Sequence, residues 1–520
     1  MSLATAYLDQ DFGTVPDLVR IHGRERPDAP ALIHGDAKLS WGELDALADR
    51  IAAGLQQGGV APGDRIAICA LSSLNYAATF LAGLRAGIAV APLAPSSTPD
   101  SLAAMIADCG AKLFFLDRSV ATEIDAAGVK IPTQRITFDG SESGTPFADW
   151  LPAAGATPQP VTITPEMAFN LIYSSGTTGT PKGIVQSHKM RWGHVNRGGG
   201  SGYGPNSVTL LSTPLYSNTT LVSFFPTMAL GGCAVLMEKF EVAKYLDLAQ
   251  RHKVTHTMLV PVQYRRIMEY ADFGKFDLSS FVMKFCTSAP FSAALKADIL
   301  ARWPGGLIEY YGMTEGGGGC VLIAHEHPDK LATVGRPLPG VDVHLIDEDG
   351  NEVATGEIGE IVGRSGSVMN GYWNRPDATE AAIWRNAEGV EFIRTGDVGR
   401  FDADGFLTLM DRRKDMIISG GFNIYPSDLE AVVLAHPAVA DVAVVGVPSD
   451  AWGETPVAFV VPQGEADAEE IRNWANAKVG KTQRLSAIRP RRGMPTTDAP
   501  SVIAVKRATS RVPAPSSLTA

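Results

Sequence analysis

This chain of 520 residues is poor in several things that would narrow its class quickly. It has five cysteines, at 69, 109, 233, 286 and 320, scattered without metal-ligand spacing. That excludes a disulfide framework and fits a reducing compartment. It has no extended basic run, and its formal charge is −11. Nucleic acid is therefore not expected as a principal partner. Its longest apolar stretch, YAATFLAGLRAGIAVAPLA, is broken by Arg85 and by glycines. A buried helix followed by a strand accounts for it better than a membrane span. The start, MSLATAYLDQDFG, lacks a basic segment and carries acids early, which argues against a secretory signal. A cytoplasmic location is the expectation. What remains, 45% hydrophobic and 19% charged residues, is the composition of an ordinary globular protein, too long for one core.

Apolar segments alternate in period along the first half. APGDRIAICAL reads as turn and buried strand, NYAATFLAGLRAG as helix, IAVAPLAP as strand, SLAAMIADCG as helix and AKLFFLD as strand. The alternation resumes at SVTLLSTPLY, CAVLMEKF, VAKYLDLAQRHK and VTHTMLVP. Such alternation predicts an α/β fold with doubly wound, mainly parallel sheets. From about Val341 the texture becomes short strands with acidic or glycine turns, predicting a β-rich subdomain. A boundary is expected near Asp411–Lys414, giving an N-terminal domain over 1–411 and a small α+β domain over 412–520.

One stretch stands out chemically. YSSGTTGTPKG, residues 173–183, concentrates glycine and hydroxyl residues before Lys182. It is not a Walker-type loop, because Pro181 precedes the lysine and Gly183 comes after it. Glycines 176, 179 and 183 still allow backbone N–H groups to converge on an anion, with side-chain donors beside them. Composition alone also fits a plain surface turn. The apolar MAFNLIY before it predicts strand and then loop, where ligand loops of open α/β sheets lie.

Two further segments, YYGMTEGGGG (310–319) and IRTGDVGRFDADGFLTLMDRRKDMIISGGFNIYPSDLE (393–430), occur in order with the first. Together the three resemble the adenylate-forming superfamily of acyl-CoA synthetases, luciferases and peptide-synthetase adenylation domains, over roughly residues 10–490. The resemblance implies a carboxylate that attacks the α-phosphate of ATP, and a thiol, usually of coenzyme A, that then displaces AMP. Its cofactors would be ATP, Mg²⁺ and CoA, and its partners a small carboxylic acid with no nucleic acid, no membrane span and a homodimer as one option. It assigns ATP binding to Ser174, Ser175, Gly176, Thr177, Thr178, Gly179, Thr180, Lys182, Glu309, Tyr311, Gly312, Thr314, Asp397 and Arg412. Among these the loop would hold the β- and γ-phosphates, Thr314 the α-phosphate, Tyr311 the adenine and Asp397 the ribose hydroxyls. Thr177 and Glu315 would be catalytic, with Glu315 on Mg²⁺, a hard cation that prefers carboxylate oxygen.

Lys414 falls at the family's hinge, and Gly420, Gly421 and Phe422 would meet CoA. The acyl pocket would be walled by His188, Tyr216, Ser217, Thr287, Ser288, Ala289, Gly316 and Gly317. Small wall residues leave room for an aromatic or a medium- to long-chain aliphatic acid. The histidine that many relatives carry after the aromatic residue is Ser217 here. His325 and His327 read as surface residues rather than metal ligands. The chain departs from the family at its end: a P-x4-G-K count from Pro495 places the pair on Pro500 and Ser501. Lys506 is then the candidate catalytic lysine, being the only lysine after Lys481. Two alternatives to a CoA ligase remain: an enzyme loading a carrier protein, and an ATP-binding homologue impaired by this tail.

Overall fold

The computed structural model describes residues 2–174, 182–412, 417–419, 422–424, 426–449, 453–464, 467–479 and 483–490. Two parallel-rich sheets dominate the first compact unit, Met1–Val343 with Val362–Arg394. In the larger sheet, strands Pro30–His34, Cys233–Leu236, Val208–Leu211, His256–Leu259, Met283–Cys286 and Gly306–Tyr311 lie side by side, all parallel. Antiparallel strands close its two sides, Ala37–Ser40 at one and Cys320–Ile323 with Arg336–Pro337 at the other. The second sheet runs Gly371–Tyr372, Lys182–Ser187, Ala168–Ser174, Ala89–Pro92, Arg65–Cys69, Leu113–Leu116, Gln134–Thr137, Thr145–Pro146.

The reason is legible in the side chains. Strands such as Cys233–Leu236 and Leu113–Leu116 are buried at every position, as parallel strands covered by helices on both faces must be. The helices that cover them carry sequence-encoded starts. Ser40 and Glu43 form a reciprocal capping box, Thr98 caps a helix that opens on Pro99, and Ser187 accepts from the backbone N–H of Met190. Gly110, at φ 60°, ends the helix Pro99–Cys109 in the left-handed region. Between the layers Trp41, Phe80, Phe224 and Phe225 are at most 1% exposed, each contributing on the order of 2 kcal/mol by leaving water.

The second compact unit comprises His344–Ile361 and Thr395–Ala520. The single cut near 411 predicted from the charged segment is therefore not where compactness divides the chain. Strand Leu407–Arg412 packs on helix Pro426–Leu434, which draws the preceding hairpin into the later unit. That hairpin pairs Phe401 with Leu407 and Asp397 with Arg412. The predicted small α+β domain is present. Long antiparallel strands Val439–Ser449 and Gly453–Pro462 pair Val442 with Val460, and helices Pro426–Leu434 and Ala468–Asn476 bury Leu429, Val433 and Ile471 in its core.

Candidate active site

The Gly/Thr-rich segment joins strands Ala168–Ser174 and Lys182–Ser187, which pair antiparallel with Tyr173 opposite Gly183 and Ser174 opposite Lys182. The expected strand-then-loop is therefore a hairpin. The apolar run Ile184–Val185 continues as strand, so the helix starts only after Ser187. Lys182 itself stands on the strand Lys182–Ser187 rather than in the first turn of a helix. Residues 175–181, which include Ser175, Gly176, Thr177, Thr178, Gly179 and Thr180, lie outside the described residues, as does the side chain of Ser174.

On the second strand of the hairpin the contacts are well defined. The Lys182 ammonium sits 5.3 Å from the centroid of the Tyr372 ring, on its face. The Tyr372 hydroxyl donates to Glu315 Oε1 at 2.8 Å. Burial, and after it the Glu315 carboxylate, push the Tyr372 phenol well above its ordinary pKa, so it stays a donor at any working pH. Glu315 is itself 9% exposed, and its carbonyl accepts from the Met369 backbone N–H at 2.8 Å. Lys182, Tyr372 and Glu315 thus form a cation–ring–carboxylate chain. Strand Gly371–Tyr372 pairs with the hairpin, Tyr372 opposite Ile184, and this brings the chain together.

The segment after Glu315 explains its glycines. Gly316 and Gly317 have φ of 79° and 87°, and a Cβ on Gly316 would stand 2.1 Å from the Ser367 carbonyl oxygen. A Cβ on Gly317 would stand 2.8 Å from the Gly363 carbonyl oxygen. Their small size serves a close backbone approach as well as any space for an acyl group. Tyr311 ends the strand Gly306–Tyr311, where it pairs with Cys320, and Gly312 comes directly after it.

Glu309, expected among the ATP ligands, carries an interior ion pair. It is 4% exposed, and its carboxylate is engaged by the buried Lys296 ammonium, which also donates to the carbonyls of Leu331 (2.8 Å) and Thr333 (3.0 Å). On strand Gly306–Tyr311 it lies two positions before Tyr311, with its side chain on an interior ion pair. Burial pushes its carboxyl up to about 7, against the lowering effect of Lys296.

On the expected acyl side, Tyr216 is half-buried and Ser217 begins the helix Asn218–Ala229. Thr219 Oγ1 lies 2.7 Å from Ser288 Oγ, so two of the segments proposed as pocket wall do meet. Ser288 adopts φ 79°, an uncommon left-handed conformation for a residue with a side chain. Its neighbours are half-buried Thr287 and exposed Ala289. His188 is buried, its ring edge-on to Phe169, and Nε2 has no hydrogen-bond partner. Burial drives its pKa down to about 4, so it is neutral.

A polar network runs beneath these parts, and no motif pointed to it. Arg191, fully buried, donates from Nε to Asn170 Oδ1 (3.1 Å) and from Nη2 to Asn170 Oδ1 (3.1 Å), Asn218 Oδ1 (2.9 Å) and Gln186 Oε1. Nη1 lies 3.4 Å from His194 Nδ1. Gln186 Nε2 donates to the Thr314 carbonyl at 2.7 Å. The one signal in the sequence was polar Gln186 inside the apolar strand GIVQS, since a polar residue on a buried strand requires partners. Tyr372 lay in MNGYWNRP without a marked pattern.

In the second unit, Asp397 faces Arg412 across the hairpin, so two of the residues expected to bind ATP are cross-strand partners. The Asp397 backbone N–H donates to Thr395 Oγ1 at 3.1 Å. The side chains of Arg412 and Phe422, and all of Lys414, Gly420, Gly421, Lys481 and Lys506, lie outside the described residues. His325 is exposed, and among the described residues no group of three or more His, Cys, Asp or Glu could hold a metal by themselves.

Comparison with known proteins decides the family. The profile of the AMP-binding enzymes matches residues 19–373, and that of the AMP-binding enzyme C-terminal domain matches 428–499. The chain belongs to the AMP-binding enzyme family. This AMP-binding enzyme is 32% identical over 502 residues to a feruloyl-CoA synthase of an Amycolatopsis species, covering 95% of this chain and 98% of that protein. It is 30% identical over 455 residues to the long-chain-fatty-acid–CoA ligase FadD13 of Mycobacterium tuberculosis H37Rv, covering 86% and 88%. Among solved structures, ATP-bound MatB of Rhodopseudomonas palustris superimposes with a TM-score of 0.84 at 27% identity, over 96% of this chain and 99% of that one. The adenylate-forming resemblance read from three motifs is thus confirmed along the chain. No helix among the described residues is long and apolar enough to cross a membrane.

Proposed function

We propose that this enzyme is an ATP-dependent acid–thiol ligase that makes an acyl-CoA through an acyl-adenylate, with AMP and pyrophosphate as products. The observation that carries the reading is the near full-length similarity to relatives named as CoA ligases. In the first half-reaction a carboxylate oxygen attacks the α-phosphorus and pyrophosphate leaves. In the second, the thiol sulfur attacks the acyl carbon, the thiol proton is lost and AMP leaves. Both steps need negative charge on phosphate to be held by fixed groups. Lys182 with the 175–181 segment would hold the leaving phosphates, and Thr314 the α-phosphate.

Glu315 offers a chemically suitable partner for Mg²⁺. Its Oε1 is oriented by Tyr372, and a lone carboxylate fits a cation that usually binds one or two carboxylates together with substrate phosphates. Mg²⁺ would supply charge neutralisation on the phosphates. Asp397 and Arg412 would take the ribose side. Lys414 would be the hinge, Gly420, Gly421 and Phe422 would approach CoA, and Lys506 would serve the reacting carboxylate. The acid is an aromatic or a medium- to long-chain aliphatic one, matching the two kinds of relative and the small residues Thr287, Ser288 and Ala289. Pyrophosphate release from ATP and Mg²⁺ with a panel of such acids, with and without CoA, tests this. Turnover that needs one acid class and is sustained only with CoA is the expected result, and release indifferent to added acid would refute it.

A further inference from the structure

We propose that Arg191 is a positioning residue for adenylation, acting through Gln186 to pin the peptide unit between Thr314 and Glu315. The inference rests on the ligase reading above.

Hydrogen-bond polarity fixes the arrangement. A guanidinium only donates, whereas an amide side chain can present either end. Gln186 Oε1 accepts from Arg191 and also from Asn170 Nδ2 at 2.9 Å, so its amide nitrogen must face the other way. There it meets the Thr314 carbonyl at 2.7 Å. Arginine thus removes the ambiguity of the amide and turns Gln186 into a fixed donor. From the other side the Met369 N–H holds the Glu315 carbonyl, and Tyr372 holds its carboxylate. The segment expected to meet the α-phosphate and Mg²⁺ is clamped on both flanks by groups on or beside one strand, Lys182–Ser187.

The cost of this device is visible. Arg191 is 0% exposed, and among the described residues no carboxylate forms an ion pair with it. Burial lowers its pKa to about 9. An apolar side chain of similar volume would be easier to bury than this charge. The penalty is intelligible if a donor-only group is required at that point. The same guanidinium binds Asn218, in the first turn of the helix that comes after Tyr216 and Ser217, and so ties the acyl side to the phosphate side.

Gln186→Glu separates positioning from mere structure. Glutamate keeps the shape, gives Arg191 a carboxylate partner and removes the donor to Thr314. A purely structural network tolerates or gains from that ion pair, so thermal stability and rate would both hold. The inference predicts a protein that still folds, with acid-dependent pyrophosphate release lowered on the order of 30- to 300-fold, as for roughly ångström-scale misplacement of reacting groups. Thioester formation from a supplied acyl-adenylate should stay within about threefold, since no phosphate bond forms in that step. The neutral Gln186→Met should lose the same adenylation rate, which assigns the effect to the lost donor rather than the added charge. A folded Gln186→Glu or Gln186→Met with the wild-type adenylation rate overturns the inference and leaves the ligase reading standing. Wild-type protein that releases no pyrophosphate with any acid overturns both.

Discussion

Replacing Tyr372 by phenylalanine deletes one oxygen from the cation–ring–carboxylate chain and leaves the rest in place. The ring that Lys182 covers at 5.3 Å persists, while the 2.8 Å bond to Glu315 Oε1 is lost. A hydrogen bond to a charged group is worth roughly 1.5–3 kcal/mol net. At about 1.4 kcal/mol per decade, full expression of that loss in the adenylation barrier lowers the rate on the order of 10- to 100-fold. The carboxylate would also turn more freely, so more Mg²⁺ would be needed for half-maximal rate. Acid-dependent pyrophosphate release measured across a Mg²⁺ titration reads both effects. A Tyr372→Phe enzyme within twofold of wild type in rate and in Mg²⁺ requirement would show that Glu315 does not depend on this oxygen, and the proposed metal geometry would fall with it.

Other perturbations probe different levels. Gly316→Ala forces a Cβ to within 2.1 Å of the Ser367 carbonyl at a φ of 79°, so calorimetry should show a loss of at least about 1–2 kcal/mol, together with loss of activity. Lys296→Met strands the buried Glu309 carboxylate at the cost of roughly 3–5 kcal/mol, and a Lys296→Met, Glu309→Leu double variant should recover much of it in urea unfolding. His188 titrates near 4 when folded against an ordinary 6.5, so the unfolded chain binds the extra proton between those values. Its contribution to stability is complete above pH 6.5 and declines as pH falls toward 4, by on the order of 3 kcal/mol. His188→Phe should flatten that part of the pH–stability curve measured by urea unfolding, and an unchanged slope would contradict the buried neutral ring. If Asp397 takes both ribose hydroxyls as proposed, Asp397→Ala should raise the ATP concentration for half-maximal rate about tenfold or more, read from initial rates.

The sheets were readable because parallel strands buried on both faces leave continuous apolar runs, as at Leu113–Leu116 and Cys233–Leu236. The family was readable because three local motifs, at 173–183, 310–319 and 393–430, together resemble the adenylate-forming superfamily. Other features depended on long-range pairing, which leaves no local pattern. Tyr372 reaches Glu315 because its strand pairs with Lys182–Ser187, far away in sequence. Glu309 looked like a ligand beside Tyr311, and only the long-range approach of the buried Lys296 shows that its carboxylate carries an interior ion pair. Gly316 and Gly317 suggested open space, and their positive φ with the nearby carbonyls of Ser367 and Gly363 adds a second reason for glycine, a close approach of backbone to backbone. The division into compact units tracked the packing of Leu407–Arg412 on Pro426–Leu434 rather than the charged segment between them.

The central claim is that the acid's own oxygen attacks the α-phosphorus and is then left behind when the thiol takes the acyl group. An acid labelled with ¹⁸O at both carboxylate oxygens tests this directly, by mass analysis of the AMP and acyl-CoA formed. The account predicts one labelled oxygen in AMP, one in the thioester and none in pyrophosphate. Label appearing in inorganic phosphate, or unlabelled AMP beside labelled acyl-CoA, would contradict it.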